Sequence, residues 1–297
     1  MSTNTSITFE QAEGPIDYGF TNDYMFRVIL QTNKKVLIGL VSALLHRPPE
    51  EITSAEVTNP LELGQSYDDK DFVLDIKVEI NHNMLMNLEM QVVNRHDWPD
   101  RSLSYLCRSY DQLSRGQAYT ATLPVIHIGF LDYTPFTDTT EFYSEYMMKN
   151  IRTGKIYSDK FSLRVVDLTQ IENATEEDKR YRIDYWARLF KATTWEEVQN
   201  MAKENEYLAE ASKALFMMNA DDLARERSYA REDRMRYERT VNKMLEEQAQ
   251  ALAKIEIALA EKNNALAEKD NALAEKDIAL AEMRVRLDEL EAQLGKK

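Results

Sequence analysis

Two runs of strict alternation, FVLDIKVEI over 72–80 and LMNLEMQVV over 85–93, constrain this chain more than any other feature. In the first, Phe72, Leu74, Ile76, Val78 and Ile80 face one way, and Val73, Asp75, Lys77 and Glu79 the other. In the second, Met86, Leu88, Met90 and Val92 oppose Asn87, Glu89 and Gln91. A period of two is wrong for a helix and predicts half-buried strands. The segment between them, NHNM (81–84), has turn composition, so the two form an antiparallel hairpin.

The flanking pattern supplies the rest of a core. FTNDYMFRVIL (20–30) predicts a helix with Thr21 or Asn22 as N-cap, and NKKVLIGLVSALLH (33–46) a second one stopped by Pro48 and Pro49. EVTNPLEL (56–63) reads as a short strand broken near Pro60. Residues 100–117 read as a helix ending at Gly116, and LPVIHIGFLDY (123–133) as a strand. EFYSEYMMKN and KFSLRVVDLTQ follow as two strands joined at Arg152-Thr153-Gly154, and helices run from Glu176 onward. This order predicts a mixed α/β core followed by helices. The expected division is a flexible arm (1–18), a core domain (19–175), a helical region (176–244) and a leucine-heptad tail (245–297).

The single cysteine, Cys107, excludes a disulfide framework and a multi-cysteine zinc site, and fits a reducing cytoplasm. It reads as a core thiol on an apolar helix face. No secretion signal and no membrane-length apolar run is visible. Residues 1–200 carry 30 acidic and 20 basic side chains and residues 201–297 carry 21 and 17, so most of the formal charge of −14 lies outside the tail. A protein that only grips nucleic-acid phosphates shows basic excess. If this one meets nucleic acid, a metal ion or a local basic patch must offset its carboxylates.

On the polar hairpin face, Asp75 and Glu89 can share a hard divalent cation such as Mg²⁺, which takes oxygen ligands and tolerates one or two carboxylates. Such an ion polarises a phosphoryl oxygen and activates a water; Gln91 could orient reactants and Lys77 could stabilise negative charge. Alternation alone is equally satisfied by a wetted face of ordinary charged residues. Asp75 is the one unusual member, because strands disfavour Asp. The histidines at 46, 82, 96 and 127 show no metal-ligand spacing, and His82 reads as a turn residue.

Asp75, thirteen residues, then Glu89-x-Gln91 resembles the D…(D/E)xK signature of PD-(D/E)XK nucleases, with Gln in place of Lys and Leu74 where Pro would stand. DKDFVLDIKV, NLEMQ, RSLSYLCRSYDQLSRGQAY and LPVIHIGFLDY, in that order, resemble the Rpn family of recombination-promoting nucleases and transposases, a branch of that group. TNDYMFRVIL and KFSLRVVDL extend the resemblance to about residues 17–240. It implies a restriction-endonuclease-like mixed sheet and a DNA endonuclease using Mg²⁺ or Mn²⁺ held by Asp75 and Glu89, with Gln91 at the usual lysine position. Asp23 is an outer carboxylate or a capping residue. Lys77 is a relocated lysine or a surface one. Tyr105 and Gln112, seven apart on the predicted helix, either touch the site or serve packing and solubility.

Leucine recurs at 245, 252, 259, 266, 273, 280, 287 and 294 around a near-exact repeat, IALAEKN, NALAEKD, NALAEKD, IALAEMR (257–284). The period predicts a coiled coil of about 75 Å at the α-helical rise. Its middle offers one apolar layer per heptad, and its end is the better zipper. Self-association as a homodimer and a solvated alanine-rich helix are the two readings of this tail. For the whole chain the alternatives to a DNA-cleaving enzyme are a catalytically silent DNA-binding module and a coiled-coil scaffold.

Overall fold

The computed structural model describes residues 7–60, 75–136 and 138–294, with side chains through 287. Helix α1 (Asp23–Thr32) begins where the Asn22 side chain accepts from the Tyr24 and Met25 amides. Helix α2 (Lys34–Leu44) begins where Asn33 accepts from the Val36 amide. One residue thus ends α1 and caps α2. Past α2, His46 turns left-handed (φ 52°) and Pro48 and Pro49 forbid continuation.

Six strands form one sheet in the order β1-β2-β3-β4-β6-β5: β1 (Ala55–Val57), β2 (Ile76–Ile80), β3 (Met84–Gln91), β4 (Val125–Leu131), β5 (Tyr143–Met147) and β6 (Phe161–Asp167). The expected hairpin is present: β2 and β3 pair antiparallel with Ile76 opposite Leu88 and Ile80 opposite Met84. Asn81 and His82 are both left-handed (φ 50° and 54°), and the Asn83 amide donates to the Ile80 carbonyl at 3.1 Å. Two left-handed residues give a turn whose twist matches a hairpin. Within the sheet β3, β4 and β6 run parallel. The hairpin expected around Gly154 joins β5 to β6, and Gly154 is left-handed (φ 71°). Phe72, Val73 and Leu74 of the first alternating run lie outside the described residues, as do 61–63 of the segment read as a broken strand.

The face carrying Ile76, Val78, Met86, Leu88, Ile128 and Phe130 is buried in the main core. Its helical layer is α1, α2, α5 (Ile183–Lys191), α6 (Trp195–Ala202) and α7 (Glu206–Asn219), with α4 (Glu176–Arg180) leading in. The opposite face is covered by α3 (Trp98–Tyr110), which shares a second core with Val125, Leu131, Leu163 and Val165. The expectation of half-buried strands therefore fails for β3, where every residue from Met86 to Gln91 is buried.

The helix expected to reach Gly116 stops at Tyr110. There the Gln112 amide folds back, donating to the carbonyls of Ser109 and Leu123 and accepting from the Leu123 amide. That crosslink ties the loop to the start of β4, so Gln112 is off the helix and does not share a face with Tyr105. Cys107, expected in the core, is exposed.

Residues 7–18, the described part of the expected arm, are hydrogen-bonded to the helical layer. The Ile16 amide donates to the Thr193 carbonyl at 2.9 Å and the Tyr18 amide to Asn219 Oδ1 at 3.0 Å. The last helix, α8 (Asp222–Leu294), contributes its first turns to the compact unit that ends at Arg239. There Ala224 and Met235 are buried, and Asn22 Nδ2 donates to the Ser228 carbonyl at 3.0 Å. From Thr240 the helix is a separate unit whose leucines 245–287 are 56–64 % exposed. No helix among the described residues is long and apolar enough to cross a membrane.

One contact sets how closely α3 approaches. Gly129 lies in the middle of β4, and a Cβ there would sit 2.0 Å from Trp98 Cη2. The indole at the start of α3 rests where a side chain would be. Gly129→Ala should cost about 1–3 kcal/mol by overpacking, measured by urea denaturation, whereas Ala at the exposed Gly116→Ala position should leave the α3 packing, read by Trp98 fluorescence, unchanged.

Candidate active site

The covered face of the sheet ends in a cluster of polar side chains at the carboxyl ends of the parallel strands, where open α/β sheets bind their ligands. Continuing the β2–β3 register one step beyond Ile76↔Leu88 brings Asp75 opposite Glu89. Gln91 follows Glu89 by two residues on the same face.

Asp75 is held by its backbone. Its carbonyl accepts from Arg27 Nη1, on α1, and from Asn59 Nδ2 at 2.9 Å, while Asn59 Oδ1 accepts from the Lys77 amide at 2.8 Å. Asn59 thereby extends the edge of the sheet with a side chain. The Asp75 carboxylate is buried, and neither of its oxygens has a hydrogen-bond partner among the described residues. Burial pushes its pKa up, against the opposing pull of Lys77, Arg27 and Arg101.

Glu89 sits on β3 between two hydrogen-bonded neighbours. Its Oε1 accepts from Arg101 Nε, on α3, at 2.7 Å, while Oε2 has no hydrogen-bond partner among the described residues. Burial raises the Glu89 pKa and Arg101 opposes the rise. Gln91 donates from Nε2 to the Val93 carbonyl at 3.3 Å, and its Oε1 has no partner among the described residues. Asp97, at the N-terminus of α3, lies within electrostatic reach of Glu89, and its Oδ1 is also unpartnered.

His127 on β4 completes the floor. It is fully buried, its Nδ1 lies 2.8 Å from Asn87 Nδ2, and its Nε2 lies 3.7 Å from Glu89 Oε2. Burial, then the nearby Arg101 charge, push its pKa down to about 3, so the ring is neutral. With the Asn87 amide donating to Nδ1, the proton resides on Nε2 and points at Glu89; the reverse tautomer would aim a lone pair at a carboxylate. The Trp98 and Tyr105 rings flank the imidazole at 5.6 and 6.0 Å.

Of the remaining predicted residues, only Tyr105 joins this cluster. Lys77 is exposed. Asp23, one turn before Arg27 on α1, is held by both Nε and Nη2 of Arg231 on α8, the former at 2.9 Å. Tyr105 belongs to the site through its contacts with Arg101 and His127, and Gln112 does not. Arg101 and His127 were not singled out from the sequence. The signals for them were modest: a histidine inside an apolar strand run, and a glycine two residues later marking a close approach.

The donor set can be tested against a divalent ion. Among the described residues four oxygens, Asp75 Oδ1 and Oδ2, Glu89 Oε2 and Gln91 Oε1, are buried and unpartnered, and an ion is one group that would satisfy them. All are oxygens, which suits Mg²⁺ or Mn²⁺ and not a soft metal. Among the described residues no three His, Cys, Asp or Glu side chains group together as a metal cage. Two carboxylates with further positions left to water and phosphate are what a Mg²⁺ site needs.

A six-stranded mixed sheet with this arrangement is that of the PD-(D/E)XK nuclease fold. The model of one family, the PD-(D/E)XK nuclease family transposases, matches residues 20–248, and the chain belongs to that family. No curated protein and no solved structure matches the chain.

The raised Asp75 pKa has a consequence for stability. A carboxyl that titrates higher in the folded state opposes folding at neutral pH, and this opposition fades as pH falls through its folded pKa towards the ordinary value. In metal-free buffer Asp75→Asn should therefore melt at a higher temperature than the wild type near neutral pH. The difference should shrink on acidification, as measured by circular dichroism melts across pH.

Proposed function

We propose that this chain is a divalent-metal-dependent DNA endonuclease that hydrolyses backbone phosphodiesters during recombination or transposition. The observation that carries this reading is the set of unpartnered oxygens on Asp75, Glu89 and Gln91. Family membership implies phosphodiester hydrolysis and DNA as the partner.

Asp75 and Glu89 would hold Mg²⁺ or Mn²⁺, which polarises a phosphoryl oxygen and lowers the pKa of an attacking water. The protein's share is positioning. Arg27 and Asn59 fix the Asp75 backbone, so its carboxylate presents both oxygens with little freedom. Arg101 holds Glu89 by Oε1 and turns Oε2 inward, with the His127 Nε2 proton behind it. Gln91 Oε1 is an acceptor for one proton of the attacking water and orients it towards phosphorus. Asp23 and Lys77 would act at the rim, Asp23 as an outer carboxylate only when Arg231 releases it.

Supercoiled plasmid incubated with the purified protein should be nicked in Mg²⁺ or Mn²⁺ and not in chelator. Asp75→Ala and Glu89→Ala should each lower the rate by about 100-fold or more, since each removes a ligand of the ion that does the chemistry. Plasmid binding without cleavage in either metal would favour the silent DNA-binding module. Full activity in both variants would refute the site.

The tail supports a second part of this reading, pairing of two copies through the exposed leucines of α8. Seven leucines from 245 to 287 recur at one period and lie exposed in the single chain. Six or more successive layers at the coiled-coil period favour a second identical helix over solvent. Sedimentation of the full chain should give a dimer, and Leu266→Lys with Leu280→Lys should shift it to monomer while leaving the melting of the compact unit unchanged.

A further inference from the structure

Building on the nuclease reading, we propose that Arg101 is the catalytic cation of the site, contacting the scissile phosphate from α3 where strand β3 offers only Gln91. The site contains two buried carboxylates and, nearby, Asp97, so a phosphodiester approaching it meets three acidic groups. A resident cation that touches the phosphate has to be both close and oriented. Lys77 is within electrostatic reach of Asp75, but it is exposed and no side-chain hydrogen bond holds it among the described residues. Arg27 is fully buried, and two of its nitrogens are bound to the carbonyls of Asp75 and Asn59.

Arg101 meets both conditions. Its Nε is anchored on Glu89 Oε1 at 2.7 Å, and its guanidinium carbon lies 5.1 Å from the centre of the Tyr105 ring, one helical turn on. Nη2 has only a long contact, 3.4 Å, to the Tyr105 hydroxyl, and Nη1 has no partner among the described residues. The fork is thus fixed at its base and open at its tip. The Arg101 side chain is 31 % exposed beside a Glu89 that is 7 % exposed, so Arg101 is the member of this pair that reaches solvent, from which a phosphate arrives. A planar guanidinium with Nη1 open and Nη2 held only by the long Tyr105 contact can turn two donors to phosphate oxygens, and fixing it on an aromatic ring in advance removes the entropy cost of ordering it during the reaction.

Glu89 therefore has two duties divided between its oxygens: Oε1 carries the arginine, and Oε2, 3.7 Å from His127 Nε2, is left for an ion. The alternative role for Arg101 is support alone, keeping Glu89 in position without touching substrate. The two roles differ in what lysine can replace, and in whether loss appears in metal binding or in turnover.

The experiment compares wild type, Arg101→Gln, Arg101→Lys and the double variant Arg101→Gln with Gln91→Lys. The readouts are plasmid nicking and, separately, Mn²⁺ binding by titration calorimetry, with circular dichroism confirming the fold. If Arg101 faces the phosphate, Arg101→Gln lowers the cleavage rate by about 100-fold or more, the size of losing one preorganised transition-state donor, while Mn²⁺ affinity is kept or tightened because a competing cation has gone. Arg101→Lys then retains much of the rate. Gln91→Lys, two residues from Glu89 on the same face, restores cleavage to the Gln variant by returning a charge from the strand. Cleavage by Arg101→Gln at the wild-type rate overturns the proposal. Loss of Mn²⁺ binding in Arg101→Gln, unrepaired by either lysine, overturns it in favour of support for Glu89. A wild-type protein that leaves plasmid intact overturns the nuclease reading and this one with it, whereas wild-type cleavage undiminished in Arg101→Gln overturns this one alone.

Discussion

Helix α3 lies across the sheet face that carries Asn87, Glu89 and Gln91, and the properties of the site follow from that packing. A strand face of this composition is stable in water at no special cost. Under a helix it is dry, and each polar atom on it must find a partner or carry a desolvation penalty. The protein answers in two ways. Glu89 Oε1, the Asp75 carbonyl and His127 Nδ1 are given protein partners. The Asp75 carboxylate, Glu89 Oε2 and Gln91 Oε1 are not. Packing alone does not explain that division, because the same helix could have supplied further donors. The oxygens left open belong to residues that the β2–β3 register places on one face, and a cation there would satisfy them.

The contact that permits this arrangement is small. Trp98 occupies the space above Gly129, which pairs with Glu89 across the β3–β4 ladder. The indole therefore lands beside the carboxylate, stacks near His127, and sets the start of α3 so that Arg101, one turn later, reaches Glu89. A bulkier residue at 129 would move the helix off the sheet, and every distance in the cluster would change with it. The strain of burying two carboxylates side by side, visible in the upward displacement of both pKa values, has its counterpart in the many apolar contacts of the opposite face. Functional sites commonly hold such locally unfavourable arrangements at the expense of stability elsewhere.

The alternating runs, the Asn-capped helices and the Gly154 turn were legible because each depends on residues close in sequence. Asp75, Glu89 and Gln91 were legible for the same reason: a two-residue period and a tight turn bring them together with no knowledge of the rest of the chain. Arg101 and His127 come to Glu89 across 12 and 38 residues, from a helix and from a neighbouring parallel strand. Nothing local in the sequence reports which face of α3 meets the sheet, since its apolar stripe is interrupted by Arg101, Arg108 and an exposed Cys107. The end of α3 was misjudged because Gln112 stops it through a bond to Leu123, a partner beyond the loop. Gly129 was the best available clue, since an isolated glycine in an apolar strand marks a place where something else must fit.

The acidic balance of the chain, which argues against a phosphate-binding surface, is consistent with a site organised this way. In the first turns of α8, Arg225 and Arg231 pair with Asp17 and Asp23, and Glu238 pairs with Arg95, so these charges hold the helix to the domain, while Arg234 pairs with Glu238 within the helix. Non-specific grip on DNA grows with the number of phosphates neutralised by lysine and arginine. Where those side chains serve internal ion pairs, attraction to DNA under the proposed function would have to come from few, well-placed charges: a cation held by Asp75 and Glu89, and the Arg101 guanidinium. Such a surface binds weakly as a single copy. Two copies linked by a long helix would raise the effective concentration of the second site once the first has engaged. The leucine period and the sparse basic surface, unrelated as sequence features, then meet a single requirement.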